Sequence, residues 1–196
     1  MSAEIEEQPG LTDAELLASA AEGSRQPFHQ LVARHQAALW RHARALTNSR
    51  EDAEEVLQET LLSAWKSAGT YRGEANVKTW LFTIARHAAF RLGRKASAEP
   101  ELVDIDTLGD MAGWGVDHAA SRDPESLAIL AQDRKRMSAA LNALGPEDRE
   151  ILILRELEGL SGEDTARILG ISLVAMKSRL HRARLRLAIA LRGGAS

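Results

Sequence analysis

The stretch GEDTARILGISLVAMKSRLHRARLRLAIAL, residues 162–191, decides how this chain folds. Its pattern predicts a short helix, a tight turn and a second helix. Gly170 falls where the chain must leave the first helix, and we expect a positive φ there because glycine adopts left-handed backbone freely. Ser172 is placed to cap the second helix. Four apolar residues of that helix recur at helical spacing and predict one buried stripe: Met176, Leu180, Ala183 and Leu187.

The second helix is also strongly basic. Between Leu173 and Arg192 it carries six Lys or Arg residues and no Asp or Glu, in a chain whose net charge is −3. A short helix, a glycine turn and a basic helix are together typical of a helix-turn-helix, whose second helix enters the major groove of DNA. The alternative is an ordinary helical hairpin with a solvated basic face that binds a protein partner.

The composition excludes several classes of protein. A chain of 196 residues with 44% hydrophobic residues forms one or two ordinary folded domains. It has no cysteine, so disulfides and thiolate metal sites are excluded. No apolar run approaches the roughly 20 residues that cross a membrane, and the acidic N-terminus lacks the basic flank of a signal peptide. We therefore expect a cytoplasmic protein without membrane insertion.

The charges are segregated along the chain. Residues 72–95 carry six bases and one acid, whereas residues 96–125 carry eight acids and one base. The basic helix of the hairpin follows as a second basic island. Two basic islands separated by an acidic stretch indicate two nucleic-acid contacts on one chain.

Apolar periodicity predicts an all-α fold, with two small helical domains joined by a flexible acidic linker. The first 25 residues are predicted as an N-terminal tail with a short helix after Thr12, which Gly23, Ser24 and Pro27 end. Residues 96–122 lack sustained periodicity and are predicted as the linker. The helices of the two domains are expected at about 28–47, 50–67, 77–92, 123–144, from 146 to about 158, 162–169 and 173–192.

Two surfaces of the first domain each allow two interpretations. The helix over residues 50–67 turns an acidic, amide-bearing face with an exposed leucine outward. This face is either plain solvated surface or a docking face for a basic partner helix. The loop at 69–76 and the helix after it combine aromatics with cations, as single-stranded nucleic-acid binding requires. The alternative is that the aromatics are core residues, which is the better interpretation for Trp80.

Three segments carry a resemblance to a known family. The first is DAEEVLQET at 52–60 with Ala64-Trp65, and the second is YRGEA at 71–75 with TWL at 79–81 and IAR at 84–86. The third comprises LGPEDRE at 144–150, the ALGI positions of 166–171, and KSRLHRAR at 177–184. With these motifs in this order, the chain resembles the extracytoplasmic-function group of bacterial RNA polymerase sigma factors.

The resemblance implies a transcription initiation factor that has no catalytic residues, metal or cofactor and is not an enzyme. Residues 26–95 would be the region 2 helical bundle, which binds core polymerase and the −10 element. Residues 123–192 would be region 4, a helix-turn-helix that binds the −35 element. The implied partners are promoter DNA, an anti-sigma factor, and core RNA polymerase through its largest-subunit clamp helices and its flap. The factor would also assist promoter melting.

Carried over by position, the resemblance assigns three sets of residues. Core polymerase would be bound by Asp52, Glu55, Gln58, Glu59 and Leu62. The separated −10 strand would be held by Tyr71, Asn76, Lys78, Arg86 and Arg91. The base edges of the −35 element would be read from one side of the recognition helix by Lys177, Ser178, His181 and Arg182. Its phosphates would be bound from the flanks by Arg179, Arg184 and Arg186.

Two other classes compete with this interpretation. A two-domain regulator that binds duplex DNA through the helix-turn-helix alone would leave the acidic face and the loop at 69–76 without a purpose. An enzyme would need a catalytic or metal site. Among six histidines only His35 and His42 share a helix face, and their spacing of seven is too long for one metal without further ligands. The chain also lacks a glycine-rich phosphate loop and a nucleophile elbow.

Overall fold

The computed structural model describes residues 10–93 and 124–193, and the regular structure in these two ranges is entirely helical. This confirms the predicted all-α fold. The first range contains α1 (Asp13–Ala21), α2 (Arg25–Leu46), α3 (Arg50–Ser67), a 3₁₀ turn (Ala68–Thr70) and α4 (Val77–Gly93). The second contains α5 (Pro124–Asn142), α6 (Pro146–Leu152) with a π-helical turn (Ile153–Leu157), α7 (Gly162–Leu169) and α8 (Leu173–Gly193). The predicted linker, residues 96–122, lies outside the described residues.

Side-chain caps fix where several helices begin. The hydroxyl of Ser49 accepts a hydrogen bond from the backbone N–H of Asp52 at 3.0 Å, so α3 begins where the sequence predicts. Thr12 and Glu15 form a reciprocal capping box at the start of α1. Ser161 caps α7 through the N–H of Asp164, also at 3.0 Å.

Helix α1 belongs to the bundle of the first range, although it lies in the segment predicted as a tail. Leu16 and Leu17 are fully buried, and α1 packs against α2 and α4. The prediction that Pro27 ends this helix is wrong. The break falls at Gly23, whose φ is 94°, and α2 already begins at Arg25. Pro27 fits within the first turn of α2 because the N–H that proline lacks has no helical partner there.

The predicted helix-turn-helix geometry is confirmed. Gly170 has φ 66° and ψ 34°, and this left-handed residue ends α7. The N–H of the next residue, Ile171, donates to the carbonyl of Ala166 at 3.1 Å, which closes the turn. Ser172 accepts from the N–H of Ala175 at 3.2 Å at the start of α8. Of the predicted stripe, three residues are buried and the fourth is partly buried: Met176, Leu180, Ala183 and Leu187.

The two helical ranges pack directly against each other. Helices α2 and α4 of the first range contact α6, its π-helical turn and α7 of the second. One apolar cluster runs through both halves and includes Leu81 and Phe82 on one side and Ile151, Leu154 and Ile168 on the other. Helix α8 makes its principal contacts with α5, α6 and α7, so the basic helix lies away from the first range.

Candidate nucleic-acid and protein interfaces

The four predicted base-reading residues share one exposed face of α8. Lys177, Ser178, His181 and Arg182 are all exposed, and Val174 beside them is 75% exposed. Within the two described ranges none of the four takes part in an ion pair. Because Met176, Leu180 and Ala183 anchor the opposite side of the helix, this face points to solvent. We call these four residues and Val174 the α8 reading face.

The three predicted phosphate contacts of α8 differ from the reading face, because each of them is paired with an acid of α6 or its π-helical turn. Arg179 lies 3.3 Å from Glu147, and Arg184 lies 2.6 Å from Glu156. Arg186 pairs with Asp148. The structure therefore separates these three paired cations from the unpaired Lys177 and Arg182 of the reading face. The sequence predicted the same two sets but did not reveal the ion pairs.

The predicted polymerase-binding residues line an acidic groove between α3 and α4. Its volume is about 960 Å³, and Leu62, at 47% exposed, contributes an apolar part of its wall. Asp52 is half-buried at the start of α3 and is not among the lining residues. The groove also includes residues of α3 and α4 that the sequence did not mark as binding residues. Its wall consists of Glu51, Glu54, Glu55, Val56, Gln58, Glu59, Leu62, Ala88, Arg91 and Leu92.

Two predicted −10 residues have structural contacts within their own loop. The Tyr71 hydroxyl donates to the carbonyl of Ala75 at 2.5 Å, and its ring packs edge-on against Trp80 with centroids 5.5 Å apart. Asn76 accepts from the N–H of Thr79 at 2.7 Å and thereby caps the first turn of α4. Trp80 is half-buried against the core, in agreement with its predicted core role.

The other three −10 residues lie along α4 and contact carboxylates. Arg91 is 3.1 Å from Glu59 across the acidic groove. Lys78 and Arg86 instead reach across to the second helical range and meet carboxylates there. Arg86 also lies over the ring of Phe90 at 4.3 Å from its centroid. Phe90 is 47% exposed, and no sequence motif marks it.

The two histidines considered as metal ligands each contact a carboxylate. His35 is 2.5 Å from Asp13, and His42 is 3.1 Å from Glu150. In residues 10–93 and 124–193 no group of three or more His, Cys, Asp or Glu is arranged to hold a metal ion. Nor does any helix in those ranges have the length and apolar character that crossing a membrane requires.

Two family models match the chain. The model described as Sigma-70 region 2 matches residues 31–99, which include most of α2, α3 and α4. The model described as Sigma-70, region 4 matches residues 134–187, which include the C-terminal part of α5, all of α6 and α7, and most of α8. The acidic groove therefore lies within the region 2 segment, and the helix-turn-helix lies within the region 4 segment that follows it.

Relatives and solved structures agree with these matches. The ECF RNA polymerase sigma factor SigM of Mycobacterium tuberculosis is 37% identical over 179 residues, covering 90% of this chain and 83% of SigM. The sigma factor CnrH of Cupriavidus metallidurans is 31% identical over 179 residues, covering 91% and 94%.

The sigma-factor chains of two solved complexes resemble the fold of this chain. CnrH, solved with the cytosolic domain of CnrY, superposes with a TM-score of 0.63 at 28% identity, over 94% of this chain and 99% of that one. The sigma factor RpoE of Bartonella quintana, solved with the anti-sigma factor NepR, has a TM-score of 0.62 at 30% identity, over 84% and 96%. With both regions matched in order and relatives aligned over nearly the whole chain, this protein belongs to the extracytoplasmic-function group of RNA polymerase sigma factors.

Proposed function

We propose that this sigma factor directs core RNA polymerase to one class of promoters by reading the −35 element with α8. The observation that carries the proposal is the α8 reading face, where Lys177 and Arg182 have no counter-ion in the described ranges and point to solvent. Lys or Arg on the N7 and O6 of guanine is the commonest specific contact in the major groove. The paired flank of Arg179, Arg184 and Arg186 retains exposure and would position α8 on the phosphates.

The −10 element would be held as a separated strand by α4 and the loop before it. Lys78, Arg86 and Arg91 supply cations for the phosphates. The half-exposed ring of Phe90, with the Arg86 guanidinium over it, supplies a flat surface on which a base can stack. Cations beside stacking surfaces favour single strands over duplex, which supports a role in promoter melting.

Core polymerase would bind the acidic groove between α3 and α4. Glu55 and Glu59 give the groove negative charge, and Leu62 adds an apolar contact, so a basic amphipathic helix complements it. The clamp helices of the largest polymerase subunit are the proposed occupant, and the flap would bind region 4. Such a role belongs in the cytoplasm. Control by an anti-sigma factor is supported by the similar RpoE, which was solved with its anti-sigma factor NepR.

Run-off transcription with core polymerase on a promoter library tests the whole proposal. The wild-type chain should give products from a defined set of promoters. Arg182→Ala should lose about 1–3 kcal/mol of discrimination at one −35 position and little at the others. Arg167→Ala removes the same charge from an exposed site on α7 and serves as the control. An equal loss from Arg182→Ala on every sequence would show that this side chain contacts only phosphate.

Pull-down of core polymerase tests the groove. Gln58→Ala with Glu59→Ala should abolish core binding and leave the helical circular dichroism spectrum unchanged. A matched control, Gln30→Ala with Glu22→Ala, changes one exposed amide and one exposed carboxylate outside the groove. Unchanged core affinity of the groove variant would refute the assignment. A wild-type chain that binds duplex DNA but no core polymerase would favour the two-domain regulator instead.

A further inference from the structure

Val174, the second residue of α8, carries an apolar side chain that is 75% exposed. Among the side chains described in residues 10–93 and 124–193, no large hydrophobic one is more exposed. A lone exposed apolar side chain is ordinary in a folded protein and by itself indicates nothing. The position of Val174 is more informative, because Lys177 and Ser178 follow it by three and four residues and share its face of α8.

The packing of its neighbours fixes the direction of the Val174 side chain. Leu173 and Met176 both pack toward α7. A Cβ atom added at Gly162 would meet Leu173 Cδ1 and Met176 Cε, each at 3.1 Å. The carbonyl of Ser172 accepts a hydrogen bond from the N–H of Met176 at 2.9 Å, which closes the first turn of α8. Because α8 is anchored on that side, Val174 points to solvent.

The isopropyl group of Val174 is also restricted in orientation. Branching at Cβ leaves valine one strongly preferred χ1 rotamer in a helix. Side chains of a helix tilt toward its N-terminus, and the N-terminal residues of a recognition helix are those that contact base edges. The two methyl groups of Val174 therefore form a rigid apolar surface that faces the bases α8 would approach first.

The major groove offers one kind of apolar group to such a surface. Guanine, adenine and cytosine display hydrogen-bond donors and acceptors there, whereas thymine displays one acceptor and its C5-methyl group. An isopropyl group placed against a donor or acceptor would displace water without replacing the hydrogen bond, which costs free energy. Placed against the thymine methyl group, it would remove apolar surface of both partners from water.

We propose that Val174 selects a thymine in the −35 element by packing against its C5-methyl group, a role that rests on the proposed −35 function of α8. Val174 and Ser178 lie one helical turn apart, about 5.4 Å along the helix axis. Successive base pairs are about 3.4 Å apart. The selected thymine therefore lies within about two base pairs of the position that Ser178 contacts.

Replacing thymidine with deoxyuridine tests the contact, because deoxyuridine lacks only the C5-methyl group and still pairs with adenine. Core polymerase is reconstituted with the full chain, and the promoter that gives the strongest run-off product is chosen. Unlabelled −35 duplexes of that promoter then compete with the labelled promoter for this holoenzyme. Each thymine of both strands is replaced in turn, and the competing concentrations give the relative affinities of the thymine and deoxyuridine duplexes.

The same competition is run with two variants of equal charge. Val174→Ala removes the two methyl groups and leaves the core intact, and alanine is the better helix former. Ile189→Ala is the matched control. Ile189 is a branched apolar residue of the same helix, is 69% exposed, and lies about 22 Å further along the axis. Circular dichroism checks that both variants are folded.

We expect the wild-type holoenzyme to bind about fourfold more weakly when one particular thymine loses its methyl group, the factor that corresponds to leaving one such group in water. The Val174→Ala holoenzyme should bind the thymine and deoxyuridine duplexes equally at that position, because the partner of the methyl group is gone. The Ile189→Ala holoenzyme should keep the fourfold difference.

The inference is overturned if no thymine of the element is sensitive in the wild-type holoenzyme. It is also overturned if Val174→Ala keeps the wild-type sensitivity, since another side chain then meets the methyl group. An equal loss of affinity by Val174→Ala for all duplexes, with no effect of deoxyuridine, would show contact with sugar or phosphate alone. In each of these cases promoter-specific run-off by the wild-type chain leaves the proposed function standing. If the wild-type chain gives no run-off product from any promoter, the proposed function itself fails.

Discussion

Gly170 allows a quantitative prediction, because its conformation isolates one physical effect. Its φ of 66° and ψ of 34° lie in the left-handed region, and a Cβ atom added there would meet no atom within 4 Å. Replacing it with alanine therefore creates no clash. The remaining cost is that of holding a residue with a Cβ in left-handed backbone, roughly 1–2 kcal/mol.

Gly170→Ala should lower the free energy of unfolding by about 1–2 kcal/mol, which corresponds to a fall in Tm of about 2–8 °C for a chain of this size. Gly170→Asn should cost less, because asparagine tolerates left-handed backbone better than alanine does. Gly69→Ala is the matched control. Gly69 lies in the 3₁₀ turn without a positive φ, and its added Cβ would lie 4.0 Å from Ala21, an ordinary contact. That control should be neutral or slightly stabilising.

Thermal unfolding followed by circular dichroism at 222 nm measures all three variants. Because Gly170 is exposed and lies outside the reading face, −35 duplex affinity at low temperature should equal that of the wild-type chain. A Gly170→Ala protein as stable as wild type, or an Asn variant less stable than the Ala variant, would refute the reasoning from left-handed strain. A loss of duplex affinity without a loss of stability would instead show that the turn itself touches DNA.

Three further predictions concern stability. Burial alone would raise the pKa of the Asp13 carboxyl, but hydrogen bonds from Arg34 and His35 outweigh it and hold that pKa below its ordinary value of 3.8. Asp13→Asn should therefore cost up to about 1 kcal/mol near pH 7, a difference that disappears in urea unfolding as the pH falls through the folded-state pKa. Leu154→Ala, at a fully buried site, should cost about 2–5 kcal/mol in the same assay. Ser161→Ala removes the cap of α7 and should cost about 1 kcal/mol, whereas Ser161→Thr, which keeps a hydroxyl that can accept from the Asp164 N–H and donate to the Asp164 carboxylate, should cost little.

Local signals in the sequence predicted the helices well, because the atoms that fix them are close along the chain. Ser49 caps α3 through a group three residues away, and Gly170 ends α7 by its own backbone freedom. The buried stripe of α8 follows from helical spacing alone. The prediction for Pro27 failed because a proline breaks the interior of a helix but fits its first turn. The start of α2 depends on where the bundle places Ser24, which local sequence does not determine.

The closed arrangement of the two halves could not be predicted from sequence. The side chains that pair between the two halves are far apart along the chain: His42 and Glu150 are 108 residues apart, and Arg86 and Glu150 are 64 apart. No periodicity relates charges at such separations. The same holds for the acidic groove, which needs Arg91 of α4 as well as α3, and for the exposed ring of Phe90, which no motif marks.

Ion pairs within the protein also determine how much of the positive charge of α8 is available to DNA. The sequence shows six cations on α8, and a uniform set of that size would bind any DNA through its phosphates. Arg179, Arg184 and Arg186 are paired with acids from α6 and its π-helical turn, so much of that nonspecific attraction is already compensated within the protein. Lys177 and Arg182 keep their charge unpaired on the exposed side that we propose meets base edges. A chain that is acidic overall can thus concentrate its remaining positive charge where it discriminates between sequences, and the same acids that lower nonspecific affinity raise the ratio of specific to nonspecific binding.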